Sequence, residues 1–96
     1  MSEKKWWVDF LVPVGPAGSH SLSDTDMDFW HTLNNFVHET FGTDCDSGTG
    51  FGMREYNYPR ETKEECIFLL ARVKKELAKK FGQDLVEATY FEIKQY

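Results

Sequence analysis

The chain has 96 residues, with 16 Asp and Glu against 11 Lys and Arg, for a formal charge of −5. That length fits a single domain with a core of its own. An acidic balance excludes the general phosphate-backbone binder, which needs a basic face, so direct nucleic-acid binding is not expected.

The charge is uneven. Residues 1–50 carry two lysines against eight acids, and residues 51–96 carry nine cations against eight anions. No apolar run approaches the ~20 residues of a membrane-spanning helix. The first ten residues, MSEKKWWVDF, are charged and then alternate, unlike a secretory segment. Two isolated cysteines, Cys45 and Cys66, without a CxxC pair fit reduced thiols and a cytoplasmic protein.

KWWVDFLVPV alternates with period two and is rich in β-branched and aromatic residues, so it reads as a strand. Trp6, Val8, Phe10, Val12 and Val14 form its core face. Trp7, Asp9 and Leu11 point the other way. GPAGSHSLS is a loop. From Ser23 to Gly42 the pattern is helical. Ser23 and Asp26 can form a capping box, Leu22 and Met27 a hydrophobic staple, and Asp24, Asp26 and Asp28 favour the positive end of the helix dipole. Its apolar stripe runs from Phe29 and Trp30 through Leu33, Phe36 and Val37 to Phe41.

DCDSGTGFGMREYNYP holds three glycines at spacing two. A phosphate-binding P-loop needs GxxxxGK[ST] leading into a helix, and a dinucleotide fingerprint needs GxGxxG opening one. Here no lysine follows and the run ahead alternates. The segment therefore reads as a hairpin: a strand near Thr43–Ser47, glycines supplying positive φ or a bulge, and a second strand over Phe51–Tyr58. In that phase Phe51 and Met53 are buried, and Arg54, Tyr56 and Tyr58 face outward. The glycines also leave room for a ligand or another backbone.

A second helix follows, opened by the Thr62–Glu65 capping box and closed by Gly82. Cys66, Leu69, Leu70, Val73, Leu77 and Phe81 are its buried stripe. DLVEATYFEIKQY reads as a β-rich end, with Phe91 and Ile93 on one face and Tyr90, Glu92 and Lys94 on the other.

Both helices end alike, FGTD at 41–44 and FGQD at 81–84, each between strand-like runs. This order, strand–helix–strand twice over, resembles the ferredoxin-like class. The resemblance implies an α+β fold, βαββαβ, with a four-stranded antiparallel sheet and two helices packed on one face.

Several chemical motifs fail on spacing. Asp24-x-Asp26-x-Asp28 resembles the start of a calcium loop, but the positions that need Gly and Glu hold Phe29 and Asn35. His31 and His38 lie two helical turns apart and cannot share a metal. A Ser19–His20–Asp24 relay joins sequence neighbours, which rarely have relay geometry. No catalytic set, metal site or cofactor is expected.

The open face of the sheet is the better candidate. Trp7, Asp9, Leu11, Arg54, Tyr56, Tyr58, Tyr90 and Glu92 would form a surface of aromatics crossed by charges, as protein interfaces do. The leading expectation is a small cytoplasmic interaction or regulatory domain that binds a protein partner, or itself, through this face, without a membrane role. A second is a small-ligand domain or cofactor-free enzyme of dimeric ferredoxin-like type, with His20, Arg54 and Glu55 as polar groups. A third is an acidic inhibitor of a nucleic-acid enzyme, built on Asp24, Asp26, Asp28, Asp44 and Asp46. A binding domain is favoured over an enzyme.

Overall fold

The computed structural model describes residues 5–16 and 22–95. Its elements are β1 (Trp6–Pro13), α1 (Asp24–Phe41), β2 (Asp46–Gly50), β3 (Met53–Arg60), α2 (Lys63–Phe81), α3 (Gln83–Ala88) and β4 (Tyr90–Gln95). The fold is α+β. One open four-stranded sheet, ordered β2-β3-β1-β4, pairs antiparallel at every junction. Three helices accompany it where two were expected.

Local chemistry sets the helix ends. The Ser23 side chain accepts from Asp26 N–H while the Asp26 carboxylate accepts from Ser23 N–H, both at 3.1 Å. Thr62 caps α2 by accepting from Glu65 N–H at 3.2 Å. Gly42 and Gly82 end their helices at φ 99° and 102°, a left-handed region open to glycine. The added helix α3 falls where the sequence pattern reads as strand. Its Leu85 and Val86 both pack on the core, which an alternating strand would not allow for adjacent residues.

Val8, Phe10 and Val12 of β1 are fully buried against Leu33, Val37 and Phe41 of α1 and Cys66, Leu69, Val73 and Leu77 of α2. This is the side chosen for β1 by its alternation. Phe10 is the aromatic centre, 5.2 Å from the Tyr56 ring, 6.2 Å from Tyr58 and 6.1 Å from Phe91.

The β2–β3 hairpin departs from expectation in boundary and in phase. The turn is Phe51–Gly52, with φ of 55° and 80°, a two-residue connection of the kind that suits right-twisted hairpins. A Cβ at Gly52 would collide with the Pro16 carbonyl. Gly48 and Gly50 lie within β2. Because Phe51 belongs to the turn, β3 starts at Met53 and its sides are exchanged. Arg54, Tyr56 and Tyr58 are buried on the helix side, opposite Val12, Phe10 and Val8.

Candidate functional site

The correction to β3 removes three residues from the outer face. Arg54, only 8% exposed, lies between the sheet and α1. Its Nη1 donates to Thr49 Oγ1 at 3.1 Å. Its Nη2 donates to Asn34 Oδ1 at 2.8 Å and to Ser47 Oγ at 3.1 Å. The guanidinium carbon sits 4.8 Å from the Trp30 ring centroid and 5.0 Å from that of Tyr56. Trp30 Nε1 also donates to Thr49, and Tyr56 OH to Asn34. Tyr58 OH donates to the Gly42 carbonyl at 2.7 Å, tying β3 to the end of α1. These hydroxyls explain the inward phase: each tyrosine buries its ring and satisfies its OH at the layer boundary. Burial pushes the pKa of both tyrosines up. Arg54 has no carboxylate partner among the described residues, and its Nε–H is buried without an acceptor.

The outer face is built instead from Trp7, Asp9 and Leu11 of β1, Met53, Glu55, Asn57 and Pro59 of β3, Tyr90, Glu92 and Lys94 of β4, and Asp46, Gly48 and Gly50 of β2. The register sets them in cross-strand rows. One row runs Asp46–Asn57–Asp9–Glu92, the next Gly48–Glu55–Leu11–Tyr90, and Pro59–Trp7–Lys94 flanks them. Among the described residues, the helices pack on the other side and none crosses this face.

Its centre is charged. Asp9 is 2% exposed, although no helix covers it, because its row neighbours surround it. Lys94 Nζ lies 3.0 Å from Asp9 Oδ2 and 3.9 Å from Glu92 Oε2. Asp9 Oδ1 is buried without a donor. Glu55 stands diagonally across. Hydrogen bonding to Asp9, and then burial, raises the Glu55 pKa, since a protonated Glu55 can give Asp9 the donor it lacks. The same Asp9 carboxylate raises the pKa of Lys94. Tyr90 OH donates to Glu92 Oε2 at 3.0 Å, which raises the Tyr90 pKa.

Beside this cluster the face is apolar. A groove of about 320 Å³ is lined by Leu11, Thr49, Phe51, Met53, Glu55 and the two glycines of β2. A Cβ at Gly48 or Gly50 would meet nothing within 4 Å, so bare backbone floors the groove. Tyr90 at its side is 55% exposed.

Of the expected interface residues, the structure therefore unites Trp7, Asp9, Leu11, Tyr90 and Glu92, and sends Arg54, Tyr56 and Tyr58 to the opposite side. The expected ligand set is divided: Glu55 is outward, Arg54 inward, and His20 lies outside the described residues. Sequence reasoning missed Met53, Asn57 and Pro59 on this face, and missed the contact of Glu55 with Asp9. The available signal was Glu-Tyr-Asn-Tyr itself: two polar residues alternate with two aromatic ones, which gives the observed phase once Phe51–Gly52 is taken as the turn. Two of the five acids of the charge-array reading have internal partners, Asp26 in its cap and Asp44 3.5 Å from Arg60. Among the described residues, no His, Cys, Asp and Glu group converges to hold a metal, and no helix is long and apolar enough to cross a membrane.

No family model, curated protein or solved structure matches this chain.

Proposed function

We propose that this chain is a small interaction domain of the ferredoxin-like class that docks a protein partner on the outer face of its sheet. The class is supported by the strand order, with β1 and β3 central and β2 and β4 at the edges, each edge strand following a helical segment. In this reading α3 is an addition before β4.

One observation carries the docking reading. A sheet face left uncovered by the helices presents Trp7, Leu11, Met53 and Tyr90 around a charged centre, beside a groove floored by glycine. Apolar side chains around a few placed charges suit a protein surface. The face carries Asp9, Asp46, Glu55 and Glu92 against Lys94. Its partner brings apolar groups with basic ones between them. Two copies meeting face to face would set acids against acids, so a different protein is favoured over self-pairing here.

A photo-crosslinking amino acid at position 11, compared with one at Asp28 on exposed α1, tests this in the cell of origin. A partner captured from position 11, and not from position 28, is the expected result. Equal capture from both positions, or none from position 11, removes the reading. The groove favours a second reading, a small apolar ligand, because its volume lies within the ordinary range of ligand sites. Thermal shift across a metabolite panel separates the two.

A further inference from the structure

The helix layer offers a different surface. α2 turns Cys66, Leu69, Val73 and Leu77 into the core. On the opposite side Glu64, Phe68, Ala71 and Lys75 follow one another at spacings of four, three and four, a continuous helical stripe, and all four are exposed. Phe68 is 77% exposed, the most of any large apolar residue described, and its neighbour Ile67 is 50% exposed. Neither Glu64 nor Lys75 has an ion-pair partner among the described residues.

The stripe is complementary to itself. An antiparallel second α2, with the two-fold axis between Leu69 and Leu70, sets Glu64 against Lys75 and Phe68 against Ala71. Symmetry makes each pairing twice. The small alanine gives the phenylalanine ring a place to seat. Along α2 the first half carries Glu64 and Glu65 against Lys63, and the second half Arg72, Lys74, Lys75, Lys79 and Lys80 against Glu76, so the halves are net acidic and net basic. A parallel arrangement would oppose like charges, whereas the antiparallel one opposes unlike charges and aligns the helix dipoles favourably. Such an isologous contact is the commonest route to a closed dimer.

We propose that the solvent face of α2 is a self-association surface whose occupant is the same face of a second copy, antiparallel, with Phe68 packed on Ala71 and Glu64 paired with Lys75. The surface lies across the molecule from the sheet's outer face, so it is independent of the docking reading. If both hold, a dimer presents two docking faces pointing apart.

Sedimentation velocity from micromolar to near-millimolar concentration tests it. The wild type should show a dimer that grows with concentration. Phe68→Glu should be monomeric throughout, with circular dichroism and unfolding unchanged because the site is exposed. Glu64→Lys alone and Lys75→Glu alone should each weaken the dimer about tenfold. An equimolar mixture of those two single variants should recover it, since every opposed pair is then of unlike charge, and the double swap in one chain should also recover it. A wild type that stays monomeric, a dimer indifferent to Phe68→Glu, or single variants that fail to rescue one another would each overturn the proposal. None of these results bears on crosslinking from position 11.

Discussion

The two faces of the sheet use the same four strands and treat polar groups in opposite ways. On the inner face Arg54, Tyr56 and Tyr58 are polar at their tips only, and each tip reaches a neutral acceptor on α1, on β2 or at Gly42. On the outer face, charge meets charge at the centre: Asp9, Glu55, Glu92 and Lys94 lie flat on the strands, with Asp9 buried beneath its neighbours. The inner network locks α1 to the sheet. The outer cluster pairs strands within the sheet and, among the described residues, joins no helix to it. The two sets differ in what they touch, more than in how deeply they are buried: one fixes a helix to the sheet, the other pairs neighbouring strands.

The comparison gives a graded set of expectations for stability, measured by chemical denaturation. Phe10→Ala, at the aromatic centre, should cost about 3–5 kcal/mol, the usual range for a deleted core ring. Arg54→Ala should cost about 2–3 kcal/mol, since it empties the space between Trp30 and Tyr56 and removes the hydrogen bonds to Asn34, Ser47 and Thr49. Tyr58→Phe, which removes only the bond to the Gly42 carbonyl, should cost about 1 kcal/mol. Leu11→Ala on the outer face should cost less than Phe10→Ala, about 1 kcal/mol, because the side chain is only partly buried and no helix packs on it. If Leu11→Ala proved as damaging as Phe10→Ala, the outer face would be covered and the contrast would fail.

Much of this was legible before any coordinates. The strand β1 and its core side, both helices with their caps, and the apolar stripes follow from periodicity and capping chemistry. Each of those signals is local. What misled was the phase of β3, which depends on a turn only two residues long. Phe51 is large and apolar, and taking it as the first strand residue exchanges every side chain after it. The correct turn needs a non-glycine residue at positive φ, which is uncommon enough that composition does not suggest it. The α3 turn was hidden because six residues give no periodicity to read. The contact between Asp9 and Glu55 joins two strands, and only register reveals it.

The outer cluster also predicts a pH dependence. The hydrogen bond with Asp9 lets folded Glu55 hold its proton more tightly than the unfolded chain does. Its stabilising contribution is complete below the ordinary glutamate value of about 4.3 and is lost as pH rises through the raised folded value. Glu55→Gln should abolish that loss and flatten the stability curve across this interval. Lys94 has the same sign at alkaline pH: its contribution is present below the ordinary lysine range and lost as pH rises through its raised value. A curve for Glu55→Gln that superimposes on wild type would mean that Asp9 and Glu55 do not share a proton.

Accessibility of the two faces can be read in the unmodified protein. Paramagnetic broadening by a soluble gadolinium chelate, recorded by nuclear magnetic resonance, should strike the Tyr90 ring and the Leu11 methyls. It should spare the Tyr56 and Tyr58 rings and the Arg54 Nε–H. Strong broadening of Tyr56 and Tyr58 with protection of Leu11 would reverse the faces and contradict the account.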